Sequence, residues 1–89
     1  MATLDMIYLK ENEDYMRDIE YGYVKINLRE IMNEQKISIN KLANRAEMER
    51  TQLKSYINGD IQRIDLSVLA RLCYVLECDI SDLIKYVKD

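Results

Sequence analysis

From Val24 to Val87 the apolar residues recur at helical spacing in five successive runs. Val24, Leu28, Ile31 and Met32 mark one face of a first helix, with Asn27 and Glu30 spaced as a capping pair inside it. Ser38 is placed to cap a second helix carrying Ile39, Leu42, Ala43 and Ala46 at i, i+3, i+4 and i+7. A third, short helix is predicted from Arg50 to Asn58, with Leu53, Tyr56 and Ile57 inward. Asn58-Gly59 ends it, because both residues tolerate the left-handed backbone that closes a helix. Asp65 caps a fourth helix with Leu66, Leu69, Leu72, Cys73 and Leu76 on its inner face. Asp79 caps a fifth with Ile80, Leu83, Ile84 and Val87 inward. Short, proline-free connections between these runs fit a compact helical bundle.

The first 23 residues have no such single reading. Tyr15, Met16 and Ile19 form an apolar stripe on a short helix from Asn12 to Tyr21, ended by Gly22. Asp5–Lys10 and Ile19–Ile26 read equally as strands, the second alternating Ile19, Tyr21 and Tyr23. Four of the seven tyrosines lie in this stretch, so it has apolar surface to bury, and an ordered extension is expected.

Composition narrows the function. Eighty-nine residues allow one small domain. The absence of histidine excludes Ser-His-Asp and Cys-His catalysis and any zinc site with an imidazole ligand. Cys73 and Cys78 are five apart, and two thiolates do not complete a tetrahedral metal site; they read as reduced core residues. No nucleophile–base pair or phosphate-cradling glycine run is present, so a non-enzymatic protein without cofactor or metal is expected. No apolar run approaches the roughly 20 residues that span a bilayer, and Met1–Asp5 lacks the basic start of a signal peptide. A cytoplasmic location follows as an expectation. Met6, Met16, Met32 and Met48 read as packing residues.

A net charge of −3 argues at first against a nucleic-acid partner. The charge is unevenly distributed. Residues 1–23 hold two bases and six acids, a net of −4, whereas residues 24–89 hold eleven bases and ten acids, a net of +1. Between Lys36 and Arg63 six bases face three acids, an excess of +3. That excess alone also fits an ordinary solvated face. The chain therefore divides into an acidic N-terminal extension (1–23) and a near-neutral helical domain (24–89) with a basic centre.

The second and third helices, joined by a short connection, form a helix-turn-helix pattern. Ala43 and Ala46 are small enough to let the two helices approach closely, while Leu42, Met48, Leu53 and Tyr56 lock the crossing. The third helix is then free to present Arg50, Thr51, Lys54 and Ser55 outward, and a major groove about 12 Å wide admits one such helix.

Ser38–Gly59 resembles the phage repressor/Cro-type (XRE) helix-turn-helix. Arg63-Ile64-Asp65-Leu66, Leu69, Leu72-Cys73, Leu76 to Asp79, Asp82-Leu83-Ile84 and Tyr86-Val87 are similar to a compact bacterial Cro/CI-like subfamily of stand-alone regulators. The resemblance covers residues 24–89. It implies an all-α, five-helix lambda-repressor-like bundle, here with a short N-terminal extension, that binds double-stranded operator DNA as a homodimer. Position by position, it implies base contacts from Arg50, Thr51 and Ser55, and base or phosphate contacts from Gln52 and Lys54. Ser38 and Asn40 fall where the family holds a phosphate, Asn58 and Gly59 where loop amides meet another, and Arg63 at a further backbone contact. Lys41 is taken with these as a backbone contact. Arg50 is the choice for direct readout, because a guanidinium takes both acceptors of a guanine edge.

Three positions depart from the family pattern. Glu47 stands where the family prefers glycine, so the turn either changes conformation or carries strain. Glu49 replaces the usual Ser or Thr at the start of the recognition helix, which favours the helix's positive end but sets a carboxylate near DNA phosphates. Met32 and Ile57 replace a buried Arg–Glu pair, and the loss of both charges together leaves neither unpaired.

The rival reading is an interaction module, in which the same fold serves as an antitoxin or as a modulator of another regulator. The acidic extension, Glu47, Glu49 and the overall charge favour it; the extension itself reads either as a structural cap that packs Tyr8, Tyr15 or Tyr21 on the helical core or a poorly ordered end, or as a dimerisation or partner-binding element that competes with DNA for the basic face.

Overall fold

Five helices and two short strands make up residues 20–88, the part of the chain described by the computed structural model. Their order is β1 (Tyr23–Ile26), α1 (Leu28–Gln35), α2 (Ile39–Arg45), α3 (Arg50–Asn58), α4 (Leu66–Leu76), α5 (Ile80–Leu83) and β2 (Ile84–Val87). Each helix drives at least one fully buried leucine into a common core: Leu28, Leu42, Leu53, Leu72 with Leu76, and Leu83. Burying one such side chain is worth about 1.5–3 kcal/mol, so the shared cluster holds together helices too short to persist alone.

The strands correct the all-α expectation. β1 and β2 pair antiparallel, with Tyr23 opposite Val87, Val24 opposite Tyr86, Lys25 opposite Lys85 and Ile26 opposite Ile84. Tyr-Val-Lys-Ile and Ile-Lys-Tyr-Val are rich in β-branched and aromatic residues, and antiparallel pairing sets an aromatic ring against a valine twice. The opposed lysines repel, but each finds a local partner. Lys25 lies 3.3 Å from the Glu30 carboxylate, and Lys85 donates to the Ser81 carbonyl at 3.0 Å. Gly22 precedes β1 at φ +84°, and a Cβ there would run into the Val87 carbonyl and the Tyr86 ring. The Tyr86 hydroxyl donates to the Tyr21 carbonyl beside it.

Strand pairing also moves two helix boundaries. The first helix starts at Leu28, and Val24 is exposed on β1 instead of lying inward on a helix. The fifth helix stops at Leu83, and Ile84 and Val87 continue as strand. The spacing of Ile80, Leu83, Ile84 and Val87 suits one helix, but it is met equally by a single turn followed by a strand. The ladder offered by β1 decides between them. In α4 the inward stripe is Val68, Leu69, Leu72 and Leu76, whereas Leu66 at the first helical position is 78% exposed, against expectation.

The N-caps follow the sequence at three of four positions. Ser38 Oγ accepts from the Lys41 amide at 3.1 Å. Asp65 accepts from the Ser67 hydroxyl at 2.7 Å and the Ser67 amide at 2.9 Å, which together hold its carboxyl below the ordinary value. Asp79 and Asp82 form a reciprocal capping box. Asn27 precedes α1 without a side-chain cap bond; its expected partner Glu30 pairs with Lys25 instead. The readings of residues 1–19 as a helix beginning at Asn12 or as strands lie outside the described residues. Of the alternative strand Ile19–Ile26, the described part forms β1 from Tyr23 onward.

Candidate nucleic-acid interface

α2 and α3 cross on small and apolar side chains. Leu42, Ala43, Ala46, Met48, Leu53 and Tyr56 are all buried at this crossing, Leu42, Ala46 and Leu53 wholly so. Met32 of α1 and Ile57 of α3 are likewise buried where α1 packs on α3. Two backbone bonds close the C-terminus of α2: the Met48 amide to the Ala43 carbonyl at 2.9 Å, and the Glu47 amide to the Asn44 carbonyl at 3.3 Å. These bonds require a left-handed residue between the helices, and Glu47 supplies it at φ +57°. The departure from glycine therefore leaves the turn's shape intact and charges its strain to a glutamate. Glu49 precedes α3 in an extended conformation, without a side-chain cap bond, and is exposed.

The register of α3 follows from its buried side. With Leu53, Tyr56 and Ile57 inward, Arg50, Lys54 and Asn58 succeed one another at i, i+4 and i+8 along the outer side, with Thr51 and Ser55 in the adjacent row. Arg50, Thr51, Gln52, Lys54 and Asn58 are exposed; Ser55 is partly covered, and its hydroxyl donates to the Thr51 carbonyl at 3.3 Å. Ser38, Asn40 and Lys41 are exposed at the start of α2, and Gly59 and Arg63 are exposed beyond α3. The expected loop amides are partly engaged inside the chain. Gly59, at φ +75°, and Asp60 both donate their amides to the Ser55 carbonyl.

Two arginines that the sequence did not single out hold this face. Arg29 of α1 donates from Nη2 to Asn58 Oδ1 at 2.9 Å, tying α1 to the last turn of α3 and leaving the Asn58 amide nitrogen as an outward donor. Arg71 of α4 donates from Nε to the Ala46 carbonyl at 2.7 Å, satisfying an acceptor at the open end of α2. A third tie is the Asp65 amide, which donates to the buried Tyr56 hydroxyl at 3.3 Å and joins α3 to the start of α4. The partners in these bonds are 29, 25 and 9 residues apart, so local patterns carry no trace of the two arginine contacts.

The family model of the Cro/C1-type HTH DNA-binding domain matches residues 27–89. Over 64 residues the chain is 31% identical to the uncharacterized HTH-type transcriptional regulator YozG of Bacillus subtilis (strain 168), covering 72% of this chain and 76% of that protein. The crystal structure of the transcriptional regulator VanUg superposes with a TM-score of 0.63 over 81% of this chain and 95% of that chain. At 19% identity the second likeness speaks for the fold alone. The described helices include none that is long and apolar enough to cross a membrane.

Proposed function

The chain belongs to the Cro/C1-type helix-turn-helix family and is a DNA-binding transcriptional regulator, and from that premise we propose that it acts as a homodimer occupying a two-fold symmetric operator in the cytoplasm, by occupancy and without a catalytic step. The α3 helices of the two protomers enter successive major grooves about 34 Å apart. Arg50 reads a base edge, Thr51 and Ser55 add base contacts, and Gln52 and Lys54 reach bases or phosphates. Ser38, Asn40, Lys41, Asn58 and Arg63 fix the protein on the sugar-phosphate backbone, while Gly59, whose amide is held by the Ser55 carbonyl, shapes the loop beside Asn58. The observation that carries this reading is the exposed polar and basic outer row of α3 beside the exposed start of α2, with Arg29 bonded to Asn58, Arg71 to the end of α2 and Tyr56 to the start of α4.

Selection of genomic fragments with the purified protein is expected to return a palindromic consensus. Arg50→Ala should then relax preference at one base pair at a cost of about 1–3 kcal/mol. Lys41→Ala and Arg63→Ala should weaken binding to all sequences and lower its salt dependence. An unchanged sequence preference in Arg50→Ala refutes the assigned readout. The exposed carboxylates of Glu47 and Glu49 favour one alternative, a protein-interaction module on the same fold. Complete absence of salt-sensitive binding to random duplex DNA would favour it over operator binding.

A further inference from the structure

α4 ends in a backbone turn that brings the two cysteines of the chain together. Glu77 takes the left-handed conformation at φ +53°, its amide donates to the Tyr74 carbonyl at 3.3 Å, and the Cys78 amide donates to the Cys73 carbonyl at 3.1 Å. In this closing motif the side chain three residues before the helix end meets the one two residues beyond it. Here both are cysteines. The amide–carbonyl bond holds their Cα atoms within about 7 Å by covalent geometry alone, and a disulfide closes over about 4.4–6.8 Å. The side chains interact as well, since Cys73 is among the groups that keep the proton on the Cys78 thiol. Both cysteines are free, and both pack against the core while keeping partial exposure. They line one groove of about 960 Å³ together with Arg45, Glu77, Asp79 and Asp82. We propose that Cys73 and Cys78 form a redox-active pair, which a neutral peroxide converts into an intrachain disulfide that staples the end of α4 to the start of α5.

Burial and the Cys73 side chain hold the proton on Cys78, which leaves Cys73 to attack first. Its thiolate takes one oxygen from the peroxide and becomes a sulfenic acid, while the other oxygen leaves as hydroxide and is protonated to water. The Cys78 sulfur then attacks the Cys73 sulfur. The S–S bond forms, the S–O bond breaks, and the Cys78 proton leaves with the hydroxyl as a second water. Two thiols and one peroxide thus give one disulfide and two waters, the sulfurs oxidised and the peroxide reduced. Exchange with excess dithiol restores both thiols. Three carboxylates against one guanidinium around the pair disfavour anionic oxidants such as glutathione disulfide and leave a neutral peroxide unopposed. The groove's described lining includes no residue of α3, so the bond acts on the stability of the domain and not on the recognition helix. Closing so short a loop restricts the unfolded chain modestly and should raise the thermal midpoint by about 5–10 °C.

The test treats the full chain with hydrogen peroxide, and in parallel with glutathione disulfide, then alkylates it with N-ethylmaleimide and weighs it by intact mass spectrometry. The expected peroxide product is a single chain two hydrogens lighter, with no thiol left to alkylate. Dithiothreitol should return it to the starting mass, and its thermal midpoint should exceed that of the reduced protein. In Cys78→Ser the sulfenic acid on Cys73 has no partner, so dimedone should trap it there; Cys73→Ser should give little adduct. The pair is overturned if both thiols remain open to alkylation, if they gain oxygen without losing hydrogen, or if the disulfide joins two chains on a non-reducing gel. An oxidised chain that melts no higher than the reduced one overturns the staple. Equal dimedone labelling of the two variants overturns the order of attack, and faster reaction with glutathione disulfide overturns the choice of oxidant. The masses of the unmodified sequence decide the pairing even where a serine variant fails to fold.

Discussion

Replacing Glu47 by glycine should stabilise the protein, and comparison with Glu47→Ala isolates the reason. Glu47 sits at φ +57° between α2 and α3. It cannot relax out of that region without breaking the bonds that define the turn: Met48 to Ala43 at 2.9 Å, Glu47 to Asn44 at 3.3 Å, and Arg71 to the Ala46 carbonyl at 2.7 Å. A residue with a Cβ held there costs about 1–2 kcal/mol relative to its preferred backbone. Glycine escapes that cost but adds unfolded-state freedom worth about 0.4–1 kcal/mol. The difference leaves Glu47→Gly more stable than Glu47→Ala by about 0.5–1 kcal/mol. In a domain of this size that corresponds to roughly 2–8 °C in midpoint. Thermal unfolding followed by circular dichroism measures it directly. Both variants lose the same carboxylate, so any gain in DNA affinity from removing charge is common to the two and cancels in the comparison. An alanine variant as stable as the glycine variant refutes the strain argument.

Three further outcomes test other parts of the structure. Arg71→Ala removes a charged donor from the Ala46 carbonyl and should cost about 1.5–3 kcal/mol by urea unfolding, with part of the loss recovered in Arg71→Lys. Leu66→Ala should change stability by less than about 0.5 kcal/mol because its side chain is largely solvated, while Val68→Ala should cost about 2 kcal/mol; equal effects refute the register of α4. Burial, reinforced by the neighbouring Cys73, pushes the Cys78 thiol from its ordinary 9.0 up to about 11. Iodoacetamide should therefore modify native Cys78 about a hundredfold more slowly at pH 8.5 than it modifies the unfolded chain, as read by peptide mass spectrometry. Because the native thiol keeps its proton after the unfolded one has lost it, stability should decline as pH rises from about 9 to 11.

The helices were legible where their signals are local. Ser38 and Asp65 cap α2 and α4 by bonds to residues two or three positions away, and the inward stripes recur within the same short windows. The ends of the domain were not legible, because β1 and β2 pair residues about sixty positions apart and no single window contains both strands. Helix C-termini gave a weaker signal than usual. Lys36, Glu47 and Glu77 all close helices at positive φ, and their side chains are not those that normally mark the position. Only Glu47 stood out, and it did so by resemblance to a family that has glycine there.

The same division runs through the interface. What α3 shows outward can be read by subtracting its buried side, since Leu53, Tyr56 and Ile57 fix which residues remain. What holds α3 in place cannot be read that way, because its clamps come from α1 and α4. Arg29 joins the two problems. One nitrogen of its exposed guanidinium is engaged by Asn58, and the group has five N–H donors in a fixed fork. The residue that steadies the end of the recognition helix therefore also adds positive charge beside it. A count restricted to residues 36–63 leaves that positive charge out, and it leaves out the Glu30 carboxylate next to it in α1 as well, so a window of sequence does not give the charge of this face.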